Sequence, residues 1–244
     1  MKINVVYPLP LDNWRTFQPN VEHFLQTWKM YPPGEECHLV CMCCLSDPSD
    51  EQWNVFACSG VRKVRFHRYD GTGFDIGAHQ HFAFQSGSDF NVNVSSRVYF
   101  HKAGWLSHMM KSRDYFGPGL FGAAVSRETG ILHFRTHCYG IDAPFFRRYP
   151  YLINSKDQSY AFEHGAFQHP VGSLLNWAQR QGDMATACVY WDGGWRADEW
   201  FGRPNIFRRG DQSNLLVFDR HTQWWAAMPP GEEKDKWSRM AGTL

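Results

Sequence analysis

The chain of 244 residues is 43% hydrophobic and 16% aromatic, with 11 tryptophans and a formal net charge of +1 at pH 7. This length suits one α/β domain with a large core, and the balanced charge gives no global drive toward nucleic acid or anionic membranes, although either could still be a substrate. The first residues lack the apolar core and cleavage site of a signal peptide, and no run of 18 apolar residues exists. We therefore expect a cytoplasmic protein without stable membrane insertion.

Strand and helix patterns alternate in the first quarter of the chain. A β-branched run at 2–7 should end at Pro8 and Pro10, and apolar residues then recur at helical spacing. The predicted elements are a strand at 2–7, a helix at 14–30, a strand at 37–45, a helix at 48–57 and a strand at 61–67. This alternation predicts parallel strands joined by right-handed crossovers.

Four of the seven cysteines, Cys37, Cys41, Cys43 and Cys44, crowd the second predicted strand. Without a secretion signal, we expect reduced thiols. Cysteine and histidine together are also typical of zinc sites, but successive residues of a strand point to opposite faces and do not converge on one point. The sequence favours a buried strand here over a metal site.

The pattern becomes less regular after residue 70. The predicted elements are a helix at 76–85, a strand and its exit at 90–100, a helix at 105–113, a tight turn at 116–119, a strand at 131–137, a helix at 173–181, a strand at 187–191, an apolar run at 215–219 and a charged end at 232–239. No internal repeat, low-complexity tract or interdomain linker is evident. We therefore predict a single α/β domain with a mostly parallel central sheet flanked by helices.

A glycine-rich loop follows the third predicted strand and leads into a helix. Ligands bind outside the carboxyl ends of the strands in open parallel sheets, so Gly73 and Asp75 are candidate nucleotide contacts. Two interpretations of Asp75 remain open: it caps the helix, or it hydrogen-bonds a ribose or a base. The loop is neither a GxGxxG motif nor a P-loop, so dinucleotide and ATP motifs are not supported.

Three segments, in this order, resemble those of small GT-A-type glycosyltransferases, which are nucleotide-diphosphosugar transferases. DIGA at 75–78 follows the glycine-rich loop, FGPGLFG at 116–122 is similar to a GPGLYG-type turn, and HFRT at 133–136 resembles the HLRT strand after it. The resemblance covers the chain to about Asp219. It implies a GT-A-like, Rossmann-like fold, with a nucleotide-diphosphate sugar bound by residues 1–100, an acceptor and catalytic half at 101–228 and a peripheral tail at 229–244.

The resemblance also implies a DxD motif at the end of the fourth strand, where carboxylates hold Mn²⁺ or Mg²⁺ against the diphosphate. This chain has Ser95, Ser96 and Arg97 there and no acidic pair. The serines could hydrogen-bond phosphate or sugar, and Arg97 could neutralise the diphosphate without metal. Arg97 could equally form a surface ion pair. Metal dependence is therefore an open question.

An acidic residue among aromatics, Glu163, resembles the position that deprotonates the acceptor hydroxyl in inverting GT-A enzymes. We predict that Glu163 lies at a helix start and is the general base, with Asp157 as the second choice and His164 as a residue that could orient it. The alternative for Glu163 is a helix cap or helix-dipole partner.

The densest polar string of the chain, NIFRRGDQSN, includes three further candidates for contact with the nucleotide-sugar: Arg208, Arg209 and Asp211. The two arginines could reach the diphosphate as part of a closing loop, whereas Asp211 is also a good turn former. His221 matches the histidine near the C-terminus that is a metal ligand in some GT-A enzymes, but a single histidine is more often structural. Arg135 is a further possible binding residue.

Three functions compete at this stage. The first is a glycosyltransferase that transfers a sugar to the hydroxyl of an unidentified acceptor, which could be a glycan, a protein, a nucleic acid or a small molecule. The second is a nucleotidyl- or phosphotransferase with a related cleft, which would need an acidic pair for two-metal chemistry. The third is a non-catalytic carbohydrate- or nucleotide-binding module, which the tryptophan content permits.

Overall fold

The computed structural model describes residues 1–164 and 173–244, with the backbone alone for His164. The strands are β1 (Ile3–Pro10), β2 (His38–Cys44), β3 (Val64–Tyr69), β4 (Phe90–Val94), β5 (Gly119–Gly122), β6 (Val125–Ser126), β7 (His133–Phe134), β8 (Cys138–Asp142), β9 (Ala185–Tyr190) and β10 (Gly193–Trp195). Eight of them form one sheet in the order β10-β9-β5-β8-β4-β1-β2-β3, and β6 pairs with β7. All strands of the large sheet except β8 and β10 run in one direction. This confirms the predicted α/β class with a mostly parallel sheet.

Helices cover both faces of this sheet. They are α1 (Trp14–Met30), α2 (Asp50–Ser59), α3 (Phe74–Gln85), α4 (Trp105–Phe116), α5 (Ala143–Arg148), α6 (Lys156–His164), α7 (Leu174–Gln179), α8 (Arg220–Ala227) and α9 (Glu232–Ala241). The bounds of α1 are those predicted. The predicted tail at 229–244 packs against the rest of the protein. Ala241 is fully buried, and its carbonyl accepts a hydrogen bond from the Arg127 amide.

The first strand is longer than predicted. Pro8 and Pro10 do not end β1, because both remain in register with β2, opposite Met42 and Cys44. Beyond Val6 the strand pairs with β2 alone, so its second edge is open and tolerates residues that lack an N–H. The carboxyl ends of β1 and β2 therefore extend together toward one edge of the sheet.

The prediction of a strand at 131–137 was largely wrong. Only His133 and Phe134 are extended there, paired with β6, and the strand that joins the large sheet is β8. β8 lies antiparallel between β4 and β5, so it begins at the edge where the parallel strands end. The residues just before β8 are thereby brought to the carboxyl ends of β1 and β4.

Most large aromatic side chains serve packing. Trp105 stacks on Phe100 with ring centroids 4.2 Å apart in the core beneath α1 and α4. Trp200 is fully buried in a second core around α5, α6 and α7. The high aromatic content therefore needs no sugar-binding face to explain it.

The cysteine-rich segment is the buried strand that the sequence predicted. Cys41 and Cys43 lie in the core, and burial raises the pKa of Cys43 to about 12. Cys58, near the end of α2, is exposed, and all seven thiols of the chain are free. Across residues 1–164 and 173–244, no group of three or more histidine, cysteine or acidic side chains could hold a metal ion.

Within the same ranges, no helix has both the length and the apolar character needed to cross a bilayer.

Candidate functional site

A cleft lies at the carboxyl ends of β1 to β4 and consists of two cavities that share Asp75 and Ser96. The apolar cavity has a volume of about 340 Å³, and its other lining residues are Pro10, Asp12, Asn13, Phe17, Cys44, Leu45, Tyr69, Gly71, Thr72 and Phe74. The polar cavity has a volume of about 280 Å³, and its other lining residues are Ser95, Arg97, Arg135, Thr136, His137, Glu163, Asp219, Arg220 and His221. The position agrees with the rule that open parallel sheets bind ligands at this edge.

The glycine-rich loop wraps the Tyr69 side chain. The Tyr69 hydroxyl accepts from the Gly73 amide at 3.2 Å, and a side chain on Gly71, Gly73 or Gly77 would collide with that ring or its hydroxyl. Gly73 is buried, and its carbonyl accepts from the hydroxyl of Ser159. The structure thus gives Gly73 a packing role, since it does not line the cleft.

Asp75 lies inside the first turn of α3 and is not its cap, because the helix begins at Phe74 with no side-chain cap hydrogen bond. Its carboxylate accepts from the Ser96 amide at 3.4 Å, so it joins the start of α3 to the exit of β4. Phe74 has φ +50° and is 58% exposed at the rim of the apolar cavity. A bulky residue held in the left-handed region is strained, and such strain clusters at functional sites.

The Asp75 carboxyl is partly buried at the wall of the cleft and has a perturbed acidity. Burial raises its pKa to about 6, and the negative charge of Glu163 also raises it. The hydrogen bond from the Ser96 amide and the charge of Arg97 lower the same pKa, but by less. The cleft therefore holds two close carboxylates, one of which protonates slightly below neutral pH. Such perturbed pairs are typical of functional sites.

Asp75→Asn is expected to stabilise the fold above pH 6. The pKa is raised from an ordinary value of 3.8, so ionisation costs stability as the pH rises from about 4 to about 6, and the neutral amide removes that cost. A gain of about 1 kcal/mol in the free energy of unfolding is expected at pH 7.5, reduced from about 3 kcal/mol by solvent screening, and none at pH 3.5. Urea unfolding at both pH values measures it. A loss of stability at pH 7.5 would show that the carboxylate has a structural role in α3.

Two arginines at the polar cavity have no acidic partner. Arg97, after β4, lies over the Phe17 ring at 4.9 Å, and Arg220 is the first residue of α8. Within the described ranges neither is in an ion pair or a side-chain hydrogen bond. Burial and then the charge of Arg220 lower the pKa of Arg97, so the two guanidinium groups are near enough to repel each other. The charge of Asp75 offsets part of that of Arg97, but neither arginine forms an ion pair within the described residues, and two such cations at a cleft favour an anionic ligand.

Glu163 faces the same cavity from α6. It lies seven residues after Lys156, the first residue of this helix, so the prediction of a helix start was wrong, and Glu163 is too far from that N-terminal end to cap it or to interact with its dipole. Its carboxylate accepts a hydrogen bond from the Thr136 amide at 3.3 Å. One turn earlier in α6, the hydroxyl of Ser159 donates to the Gly73 carbonyl. Asp157 is exposed and outside the cleft. The side chain of His164 lies outside the described residues.

A buried ion network forms the back of the polar cavity. Arg135 donates to Glu128 at 3.0 Å and to Asp219 at 3.2 Å, and Glu128 also pairs with Arg208. Asp219 caps α8 by accepting from the Thr222 amide at 2.9 Å. Burial alone would raise the pKa of Asp219, but Arg135 and the cap outweigh it, and the pKa falls below its usual range. The charge of Arg135 is therefore neutralised by these two carboxylates, whereas Arg97 and Arg220, which line the same cavity, form no ion pair within the described residues.

Two histidines line the same cavity. His137 is 5% exposed, and burial lowers its pKa to about 4, so its ring is neutral at pH 7. His221, in the first turn of α8, is exposed, and partial burial followed by Arg135 lowers its pKa. His221 therefore lies at the cleft, but it belongs to no metal-ligand cluster within the described ranges.

The structure places the other predicted contacts elsewhere. Arg208 is buried against Glu128, Arg209 donates to the Phe201 carbonyl at 2.7 Å, and Asp211 accepts from the Ser213 amide in a local turn. None of the three lines the cleft. The structure instead brings together Asp75, Ser95, Ser96, Arg97, Glu163 and His221.

Sequence reasoning missed Arg220 and the apolar wall of the cleft, which includes Phe17 and Tyr69. The signal for Arg220 was its position after the acidic residue that ends the apolar run at 215–219, since an acid there can cap a helix. Tyr69 gave a signal too, because it is the last residue of a strand before the glycine-rich loop.

Comparison with solved structures gives the same fold at very low sequence identity. The galactosyltransferase LgtC, in complex with donor and acceptor sugar analogues, aligns over 75% of this chain and 73% of its own, with a TM-score of 0.52 and 12% identity. TarS of S. aureus, as its fragment 1–349, aligns over 76% of this chain and 58% of its own, with a TM-score of 0.51 and 10% identity. A candidate glucose-1-phosphate thymidylyltransferase from Bacillus anthracis aligns over 96% of this chain and 99% of its own, with a TM-score of 0.48 and 10% identity.

No protein-family model and no curated protein sequence matches the chain. At such identities, likeness to LgtC and TarS shows a shared fold, and function has to be argued from the site.

Proposed function

We propose that this protein is a glycosyltransferase that moves a sugar from a nucleotide-diphosphate sugar to an acceptor hydroxyl. The observation that carries the proposal is the pair Arg97 and Arg220, which form no ion pair within the described residues, in one cavity with the carboxylates of Asp75 and Glu163. The two cations suit the diphosphate of the donor, a carboxylate suits the role of general base, and a sugar transfer in a single displacement needs these groups close together. The fold shared with LgtC and TarS agrees with this function.

In the proposed complex the nucleoside occupies the apolar cavity and the diphosphate lies in the polar one. Phe17, Tyr69 and Phe74 line the apolar cavity, and the exposed ring of Phe74 suits stacking on a base. Asp75 lies where the two cavities meet, which suits a hydrogen bond to the ribose, and Ser95 and Ser96 lie beside the diphosphate.

In the proposed reaction the Glu163 carboxylate takes the proton of the acceptor hydroxyl. The acceptor oxygen then bonds to the anomeric carbon as the bond from that carbon to the diphosphate oxygen breaks. Arg97 and Arg220 stabilise the negative charge on the departing nucleoside diphosphate. A single displacement of this kind inverts the anomeric configuration.

Asp75→Ala is expected to weaken nucleotide binding by about 1–3 kcal/mol, the usual cost of removing one partner of a buried polar contact. Isothermal titration calorimetry with a panel of nucleoside diphosphates measures this, with native circular dichroism as the control for folding. If affinity is unchanged, Asp75 does not contact the nucleotide.

Turnover is expected to survive EDTA, because Arg97 and Arg220 supply the positive charge that Mn²⁺ or Mg²⁺ would otherwise supply. The carboxylates and histidines that line the polar cavity form no group of three that could hold a metal ion within the described ranges. Activity in EDTA is compared with activity in excess Mn²⁺. Complete loss in EDTA that Mn²⁺ restores would contradict the metal-free mechanism.

Thermal shift with a panel of nucleotide-sugars, followed by an assay of donor hydrolysis and transfer, tests the function as a whole. A ligand that binds the folded state raises its stability by mass action, so the cognate donor should raise the Tm. Stabilisation without turnover would indicate a binding module. Release of pyrophosphate from a nucleoside triphosphate and a sugar phosphate would indicate a nucleotidyltransferase.

A further inference from the structure

Three residues of the polar string at 205–214, Arg208, Arg209 and Gly210, line another cavity, of about 620 Å³, which shares no lining residue with the cleft. We name it the basic cavity, after Arg208, Arg209 and Lys234 in its lining. Its aromatic wall comes from Phe201 and Trp225. Arg208 and Arg209, which the sequence indicated as contacts of an anionic ligand, therefore line this cavity and not the cleft.

The basic cavity has an excess of hydrogen-bond donors. Trp225 and Arg208 are 5% and 3% exposed, and the indole Nε1 and the Arg208 Nε have no hydrogen-bond partner within the described residues. No buried acceptor that lines this cavity lacks a partner in those ranges. An unsatisfied buried donor is costly, so two of them on residues that line one cavity favour a ligand group that accepts hydrogen bonds.

The charges favour the same kind of ligand. Arg209 donates to the Phe201 carbonyl, and Lys234 donates to the Met228 carbonyl at 2.9 Å and lies over the Trp225 ring at 4.3 Å. Within the described residues neither has a carboxylate within ion-pair distance, and the acidic side chain in the lining is Asp235. Two cations with carbonyl partners keep their net charge, and so they can attract an anion.

We propose that the basic cavity is a second anion site, which binds a phosphate or carboxylate group through Trp225, Arg208, Arg209 and Lys234. The anionic oxygens accept from the indole and guanidinium N–H groups, and the Phe201 and Trp225 rings contact the body of the ligand. The site is separate from the proposed sugar transfer and does not depend on it.

Titration of ¹⁵N-labelled protein with inorganic phosphate at constant ionic strength tests this site. The indole N–H resonance of Trp225, assigned by backbone-linked experiments and by its absence in Trp225→Phe, should move in a saturable way. Acetate in place of phosphate determines whether a carboxylate is enough. Arg209→Gln and Lys234→Gln should each weaken the phosphate effect by about 10-fold or more, since each removes a charged contact.

Two controls separate this site from other effects. Arg62→Gln removes an exposed arginine outside the cavity and should leave the titration unchanged, and so should Arg97→Gln, which alters the cleft. If the Trp225 resonance moves linearly with phosphate concentration, and moves equally far when chloride replaces phosphate, the proposal is overturned. A saturable shift that both Arg209→Gln and Lys234→Gln leave intact would overturn it as well.

Discussion

Glu163→Gln is expected to lower kcat by 10²–10⁴-fold, the usual loss when a general base is removed, with nucleotide affinity little changed. Glutamine keeps the shape of the side chain and still accepts from the Thr136 amide, so the position of α6 is preserved. What it loses is the ability to take a proton from the acceptor hydroxyl. Steady-state kinetics with the cognate donor and acceptor, together with calorimetry of nucleotide binding, separate these two properties.

Asp157→Asn is the matched control for this change. It removes an exposed carboxylate from the first turn of the same helix and should leave kcat unaffected. If Asp157→Asn is inactive and Glu163→Gln is within a few-fold of the wild type, the base is Asp157. Retention of the anomeric configuration in the product would also exclude Glu163 as a base, because a retaining enzyme needs none at that position.

The double variant Arg97→Gln/Arg220→Gln is expected to weaken binding of a nucleoside diphosphate by about 100-fold or more. Each charged hydrogen bond contributes about 1.5–3 kcal/mol, and neither cation forms an ion pair within the described residues that its removal would break. Binding of the nucleoside without phosphates should change little. Calorimetry with both ligands gives the two affinities.

Arg209→Gln distinguishes the role that the sequence predicts for Arg209 from the position that this side chain has in the structure. The sequence predicted that Arg209 contacts the diphosphate, whereas its guanidinium is bonded to the Phe201 carbonyl in the basic cavity. Affinity for the nucleoside diphosphate should therefore be unchanged. A loss as large as that of the double variant would mean that the loop at 205–214 reaches the cleft in the complex and that the described arrangement is not the one that binds nucleotide.

The first half of the fold was accessible from sequence because each element there depends on local pattern. Apolar spacing determines α1 and the alternation with β2 and β3, so the edge that carries the candidate cleft could be located, and Asp75 with it. The resemblance indicated Glu163, which lines this cleft, but it did not give the place of Glu163 on the helix. Long-range pairing decided the rest: no local pattern shows that β8 inserts antiparallel between β4 and β5.

The role of an arginine was the least predictable property. Arg97, Arg135 and Arg208 are chemically alike, and their partners distinguish them. Arg135 pairs with Asp219, 84 residues away along the chain, and Arg208 pairs with Glu128, whereas Arg97 has no carboxylate within ion-pair distance in the described residues. The position of a counter-charge more than 70 residues away cannot be derived from spacing along the chain.

The distribution of thiols makes the protein suitable for selective labelling. Cys41, Cys43, Cys138 and Cys188 are buried and their raised pKa values keep them as unreactive thiols, whereas Cys58 is exposed on α2. A maleimide dye should therefore attach at Cys58 before any other position, without exchange of the remaining cysteines. Because α2 lines neither the cleft nor the basic cavity, a fluorophore there can report the tumbling of the molecule or its encounter with an acceptor while both sites stay open.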